Sequence, residues 1–454
     1  MRRSALLPFA LLGAAASGEG TGPAAPSPDP EIQRMVSGVS AERIQRSIFI
    51  LGSFKTRHTL SDPEASSDGI GGAGAWIRAE FERASAPSRG RLRVELDEFR
   101  QRAQPPLLPR ATKIVDIVAT LPSSLPAASH CVYVICAHYD SRVKDPLDYH
   151  SAAPGADDDG SGVAAVLEAA RVMCPYDFED TLIFLVTSAK EQGLYGAAHW
   201  ADQAKRDGLK IAGVMNDDMI GNTHGPGGIV DRMSLRLFAE GIPSPPRAQD
   251  SALGDGGEND TPPRELARAV RELAIVYVPA MTVRIIYRAD RFLRRGDQMA
   301  FLERGYPAVR LTEAVEDYRH QDQYAEFENG VAYGDTPDSI DYGYVANVAR
   351  VNTAALAGLG RAPAPPRFAE LETDRLDQNT TLRWAPNSEE DLAGYRVVWR
   401  ETTAPYWEHS RDLDKNVTRT TLRGISKDNL IFGVEAFDAA GHVSAAVFPL
   451  PTKR

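Results

Sequence analysis

From residue 112 onward, short apolar runs alternate with segments of helical periodicity, and no other feature of the sequence constrains the fold as much. Segments 113–120, 131–137, 181–187, 211–217, 282–287 and 308–312 read as strands; 161–173, 195–206, 263–276 and 297–304 read as helices. Near-continuous apolar strands separated by helices imply an α/β fold: a mixed, mostly parallel sheet flanked by helices on both faces. A helix over 342–359 closes this unit. Upstream, 30–54 carries helical periodicity in Ile32, Met35, Val36, Ile44, Ile48 and Leu51, and 69–81 reads as a further helix entered through glycines.

The pattern changes after 361. Three prolines fall within 362–366, and strand-like runs follow at 367–372, 380–384, 395–400, 418–422, 430–437 and 443–448. Turn residues separate them at the spacing of a small all-β sandwich. The stretch Gly394-Tyr395-Arg396-Val397-Val398, together with Trp384 and Val434-Glu435-Ala436-Phe437-Asp438 ahead of Gly441, resembles a fibronectin type III domain. The expected organisation is therefore an α/β domain over 31–361 and a β-sandwich over 367–454.

The first residues read as an address. Arg2 and Arg3 precede an apolar stretch from Leu6 to Ala16, with small residues through Ser17. This is the layout of a signal peptide over 1–18, and it predicts a secreted or periplasmic protein. The small, Pro-rich segment 19–30 reads as a linker. The leading stretch is short for a membrane span, and no other segment is apolar enough to form one. The net charge of −11 argues against a nucleic-acid partner, which would demand concentrated Lys and Arg. Cys131, Cys136 and Cys174 form no CxxC pair, so a thiolate zinc site is not expected; core packing is the plainer role, with one disulfide as the alternative.

Acidic and histidine residues cluster just beyond the predicted strands. His138 and Asp140 follow 131–137, Glu191 follows 181–187, Asp217 and Asp218 end 211–217, and His320 follows 308–312; Asp157, Asp158 and Asp159 precede the helix 161–173. Ligand groups in α/β sheets collect outside the carboxyl ends of strands. Each residue alone has a plainer reading: the Asp run as a helix start, Asp218 as a helix cap, a single His as a surface residue. The ordered set is what points to a metal. His138, one of the three consecutive aspartates, Glu191, Asp218 and His320 supply two imidazoles and three carboxylates, which suit zinc, or two zinc ions bridged by a carboxylate.

Four motifs carry a resemblance. They are Ala137-His138-Tyr139-Asp140-Ser141, Pro154 through Gly162 (Pro-Gly-Ala-Asp-Asp-Asp-Gly-Ser-Gly), Glu191-Gln192-Gly193-Leu194-Tyr195-Gly196 and Asn216-Asp217-Asp218-Met219-Ile220-Gly221. In this order they resemble the co-catalytic di-zinc aminopeptidase family, which includes bacterial leucyl aminopeptidases, glutamate carboxypeptidase and glutaminyl cyclase. The resemblance implies two zinc ions bridged by Asp158, with His138 and Asp218 on one and Glu191 and His320 on the other. It implies further that Asp140 orients His138, that Gly160 and Gly162 admit the helix start close to the ions, and that Asp297 with Phe301 lies near the site. His224 competes with His320 but follows Asp218 too closely, in a Gly-Pro loop. The implied activity is that of an exopeptidase using metal-activated water on peptide or protein N-termini.

One position departs from the family pattern. Two adjacent glutamates normally precede Gln-Gly-Leu, the first a general base and the second a zinc ligand, whereas this chain has Lys190-Glu191. Lys190 thus stands at the base position, and an ammonium cannot accept a proton. Losing a general base costs typically about 10²–10⁴-fold. The expectation is a slow hydrolase, with two alternatives: a catalytically impaired metal-binding homologue acting as a binding protein, or an acyl-transfer enzyme like glutaminyl cyclase.

Overall fold

The computed structural model describes residues 28–124, 131–242 and 256–452. The signal-peptide segment 1–18 and nearly all of the linker 19–30 lie outside the described residues. Two helices open the described chain, α1 (Pro30–Ser37) and α2 (Ala41–Ser53). The periodicity of 30–54 is split because Gly38 caps α1, its N–H bonding Arg34 O at 2.9 Å, and Ser40 starts α2 by accepting from Arg43 N at 3.3 Å. Helix α3 (Gly69–Ala84) and strands β1 (Arg93–Gln101), β2 (Thr112–Leu121) and β3 (Val132–His138) follow. Then come α4 (Gly160–Met173), β4 (Thr181–Thr187), α5 (Tyr195–Arg206), β5 (Ile211–Asp217) and β6 (Ser234–Ala239). The unit ends with α6 (Pro262–Tyr277), β7 (Thr282–Ile286), α7 (Gln298–Leu302), β8 (Ala308–Glu313) and α8 (Tyr342–Arg361).

The eight strands form one sheet in the order β1-β2-β4-β3-β5-β8-β6-β7. The central four, β4-β3-β5-β8, run parallel; β2 is antiparallel to β4 and β6 to β8. Along β3 the alternation is strict. Tyr133, Ile135 and Ala137 enter a core shared with α1, α2, α4, α6 and α8, and Val132, Val134 and Cys136 enter a second core shared with α5 and α7. Helices therefore cover both faces, as the apolar runs imply. The chain leaves β3 for β4 on one side and returns to β5 on the other, so β3 is the switch point at which crevices open in such sheets. Among the described residues, no helix is long and apolar enough to cross a membrane. All three cysteines are free.

Beyond α8 the chain forms two small sheets. One holds Glu370–Leu371, Thr380–Arg383, Arg419–Leu422 and Leu450–Pro451; the other holds Leu392–Glu401, His409–Asp414 and Leu430–Asp438. Leu382, Trp384, Leu422, Tyr395, Val397, Phe432 and Val434 make their common core. The run 443–448 is not a strand; it pairs with 434–437 through isolated bridges at Val443 and Val447 and through Ser444, whose N–H donates to Ala436 O at 2.9 Å. This unit is fastened to the α/β unit by Arg400, whose Nη2 meets Asp260 Oδ1 at 2.6 Å with both side chains buried.

Candidate active site

His138 ends β3 and is 1 % exposed. Its Nδ1 faces Asp140, at 3.0 Å from the backbone O and 3.4 Å from Oδ1, and its Nε2 lies 2.9 Å from Asp158 Oδ1. Burial and Lys190 oppose protonation of this imidazole, but its hydrogen bonds to Asp140 and Asp158 outweigh them and hold its pKa well above the usual value. Asp140 also reaches the next loop. Its Oδ1 accepts from Lys190 N at 3.2 Å and its Oδ2 from Glu191 N at 3.0 Å, so one carboxylate sets both the imidazole and the loop after β4.

The segment before α4 carries Asp157, Asp158 and Asp159. Asp335 accepts from the N–H groups of Asp157 (2.7 Å) and Asp158 (2.8 Å), and Asp159 caps α4 by accepting from Gly162 N at 3.0 Å. A Cβ at Gly162 would come within 2.5 Å of Asp159 Oδ1. The small residue there serves this cap, a closer reason than access to an ion. Arg57, 1 % exposed, donates to the carbonyls of Tyr139 (2.6 Å), Gly155 (2.8 Å) and Pro154, tying this segment to the end of β3.

The donors fall into two groups that share Asp158: His138, Asp158 and Asp218, and Asp158, Glu191 and Asp322, with ligand atoms in each within 4.8 Å of one another. Imidazole with carboxylates, and carboxylates alone, are donor sets that hold divalent ions. On chemistry and spacing the residues fit a metal centre.

His320, expected to join Glu191 on one ion, belongs to neither group. It sits in the turn Tyr318–His320, where its Nδ1 meets Gly334 O at 2.9 Å. Two residues on, Asp322 adopts φ 52° and carries its carboxylate to Glu191 and Asp158. Burial, then Glu191 and Asp158, push its pKa up to about 7 against the pull of Arg142 and Lys190. Asp297 lies beside the sheet end, accepting from Thr187 Oγ1.

Lys190 occupies the middle. Its Nζ is 2.6 Å from Glu191 Oε1, 3.1 Å from Asp158 Oδ1 and 3.6 Å from Asp218 Oδ2. Burial favours the neutral amine, but Asp158, Asp218 and Glu191 outweigh it and hold the pKa well above the usual lysine value. Three arginines, none with a local motif to announce it, flank the same carboxylates. Arg142 Nε is 2.5 Å from Glu191 Oε2 and its Nη2 meets Asp322; Arg294 is 3.3 Å from Asp322; and Arg310, fully buried on β8, is 2.8 Å from Asp218 Oδ1 and 3.1 Å from Asp290 Oδ2. The centre opens into a cleft of about 830 Å³ lined by Arg142, Lys190, Glu191, Arg294, Tyr318 and Asp322, among others.

Residues 116–356 match the model of peptidase family M28. A probable zinc metalloprotease of Leptosphaeria maculans is 43% identical over 434 residues, covering 95% of this chain and 100% of the relative. The chain belongs to peptidase family M28. A second relative, a probable zinc metalloprotease of Pyrenophora teres f. teres, is 42% identical over 93% of this chain and 88% of its own length. Among solved structures, the LapA aminopeptidase of Legionella pneumophila superposes with TM-score 0.50 at 18% identity, covering 72% of this chain and 74% of that one. The aminopeptidase of Aneurinibacillus sp. strain AM-1 gives 0.50 at 16% identity, covering 72% and 96%. These likenesses are of fold. As a member of M28 the chain is a metallopeptidase with an aminopeptidase-like α/β fold.

Proposed function

We propose that this M28 chain is an exported, zinc-dependent exopeptidase of the aminopeptidase type that acts slowly on peptide or protein N-termini. The observation that carries the reading is the pair of donor groups sharing Asp158, of which Glu191 and Asp322 line the cleft. Zinc is favoured by the imidazole and carboxylate donors and by the names of the curated relatives. When bound, such an ion supplies Lewis acidity toward a carbonyl and acidifies water. The chain itself does the positioning. Asp140 fixes His138 and the Lys190–Glu191 backbone, and Asp335 fixes Asp158.

Proton transfer is the weak step. Lys190, held charged by three carboxylates, can donate a proton but not accept one. The export reading rests on Arg2, Arg3 and the apolar Leu6–Ala16 stretch; N-terminal sequencing of the processed protein should find the first 18 or so residues removed.

Incubating the zinc-loaded protein with aminoacyl-arylamides and free peptides tests the activity. Release of N-terminal residues, abolished by a chelator and restored by zinc, is expected. No release at any pH with metal bound would leave the second reading, a metal-binding homologue that has lost catalysis, which the Lys190 ion pairs favour.

A further inference from the structure

Two of the three carboxylates around Lys190 divide their oxygens between an arginine and the lysine. Glu191 gives Oε2 to Arg142 and Oε1 to Lys190; Asp218 gives Oδ1 to Arg310 and Oδ2 to Lys190; Asp158 turns Oδ1 to His138 and Lys190. The arginines hold the outer oxygens. The inner oxygens, from the segment before α4 and the ends of β4 and β5, converge on a single Nζ whose side chain is 8% exposed. That is the arrangement of ligands around a cation, and the cation here is part of the chain.

The two sides of Asp158 differ in their donors and in how closely Lys190 approaches them. On the Glu191 side, Asp158, Glu191 and Asp322 face Lys190, Arg142 and Arg294, three negative groups against three positive, with no imidazole among the donors. A divalent ion added there would leave uncompensated positive charge in a buried place, where Coulomb repulsion is poorly screened. On the other side, Asp218 meets Arg310 at 2.8 Å and Lys190 only at 3.6 Å, Asp290 pairs with both Arg310 and Arg291, and His138 offers an imidazole nitrogen. That side has the imidazole that suits zinc, and its carboxylate Asp218 lies farther from Lys190 than Glu191 does. The asymmetry follows from residue types: a lysine beside Glu191, and a carboxylate at 322.

We propose that the ε-ammonium of Lys190 takes the place of one of the two ions the family arrangement calls for, so that this chain binds a single divalent ion, held by His138, Asp158 and Asp218. The inference rests on the metal-dependent reading above and narrows it: Glu191 and Asp322 serve as counter-ions to Lys190, Arg142 and Arg294 and ligate no metal.

Counting zinc per chain by native mass spectrometry, on full-length protein saturated with zinc and then desalted, tests this. Wild type is expected to keep one ion. Glu191→Gln should keep one and Asp218→Asn should keep none, because only Asp218 ligates. Lys190→Glu, which removes the internal cation, should hold two. Two ions on wild type would overturn the proposal and leave the metallopeptidase reading intact. Loss of the ion in Glu191→Gln with retention in Asp218→Asn would also overturn it, as would a folded Lys190→Glu chain that holds only one. No ion on wild type at saturating zinc would overturn both this proposal and the zinc-dependent reading. Wild type and the two carboxylate variants decide the matter even if Lys190→Glu fails to fold.

Discussion

Asp140 ties the end of β3 to the next loop, because its side chain lies 3.4 Å from His138 Nδ1 and accepts from the backbone of both Lys190 and Glu191. Asp140→Asn keeps one acceptor oxygen and turns an amide N–H toward a backbone N–H. Outer partners of this kind are typically worth about 10–100-fold in metal affinity. Competition with a chromophoric chelator should find zinc bound more weakly by that factor; unchanged affinity would remove Asp140 from its positioning role. His138, Asp158, Glu191 and Asp218 stand out in the sequence because each lies in a short motif whose spacing is local. Asp322 does not. Which of 320 and 322 faces Glu191 depends on a turn whose φ cannot be read from composition, and in sequence an imidazole is the plainer zinc ligand. Arg142 and Arg310 were equally invisible, since a single arginine on a loop or strand has no signature until its partners are placed. Lys190 was legible as a departure; its position amid three carboxylates was not.

At the scale of elements, the buried guanidinium of Arg57 joins three segments that are far apart in sequence. It donates to Leu51 O on α2, to Tyr139 O after β3, and to Pro154 O and Gly155 O before α4. Burial lowers its pKa to about 10, and nearby aspartates, led by Asp335, act the other way, so it remains charged near neutrality. Arg57→Met should destabilise the fold by on the order of 3–5 kcal/mol, because several buried carbonyls lose a charged donor at once. Denaturant unfolding followed by circular dichroism would measure it, and a change below about 1 kcal/mol, the net worth of one ordinary hydrogen bond, would contradict it. The apolar runs revealed six of the eight sheet strands. Strand β1 escaped because Asp97 and Glu98 interrupt its alternation at an edge where both faces are partly wet. Strand β6 is short and carries Arg236 amid its apolar residues. His409–Asp414 was missed for the same reason as β1, its residues being mostly charged or polar.

Across the whole molecule, the two-sheet unit meets the α/β unit through ion pairs, so their stabilities are linked. His442 Nδ1 lies 2.6 Å from Asp438 Oδ2 and its Nε2 lies 3.1 Å from Asp29 Oδ2, at the cap of α1. Burial opposes its protonation, but Asp438 and Asp29 outweigh that and raise its pKa above 6.5. A folded pKa above the unfolded value gives stability that is complete below about pH 6.5 and is lost as pH rises through the folded pKa. Wild type should therefore exceed His442→Gln in Tm most clearly in mild acid, and the gap should narrow as pH rises through the elevated pKa; a gap that widens with pH would contradict the assignment. Turnover is the property in which all these parts meet, and one comparison tests the account most directly: kcat for zinc-saturated wild type against Lys190→Glu on the same peptide substrate. With an ammonium at the base position, wild type should be slower by on the order of 10²-fold or more, and the glutamate variant should recover that factor. A wild-type kcat already in the ordinary range of roughly 1–10³ s⁻¹, unchanged by Lys190→Glu, would contradict it.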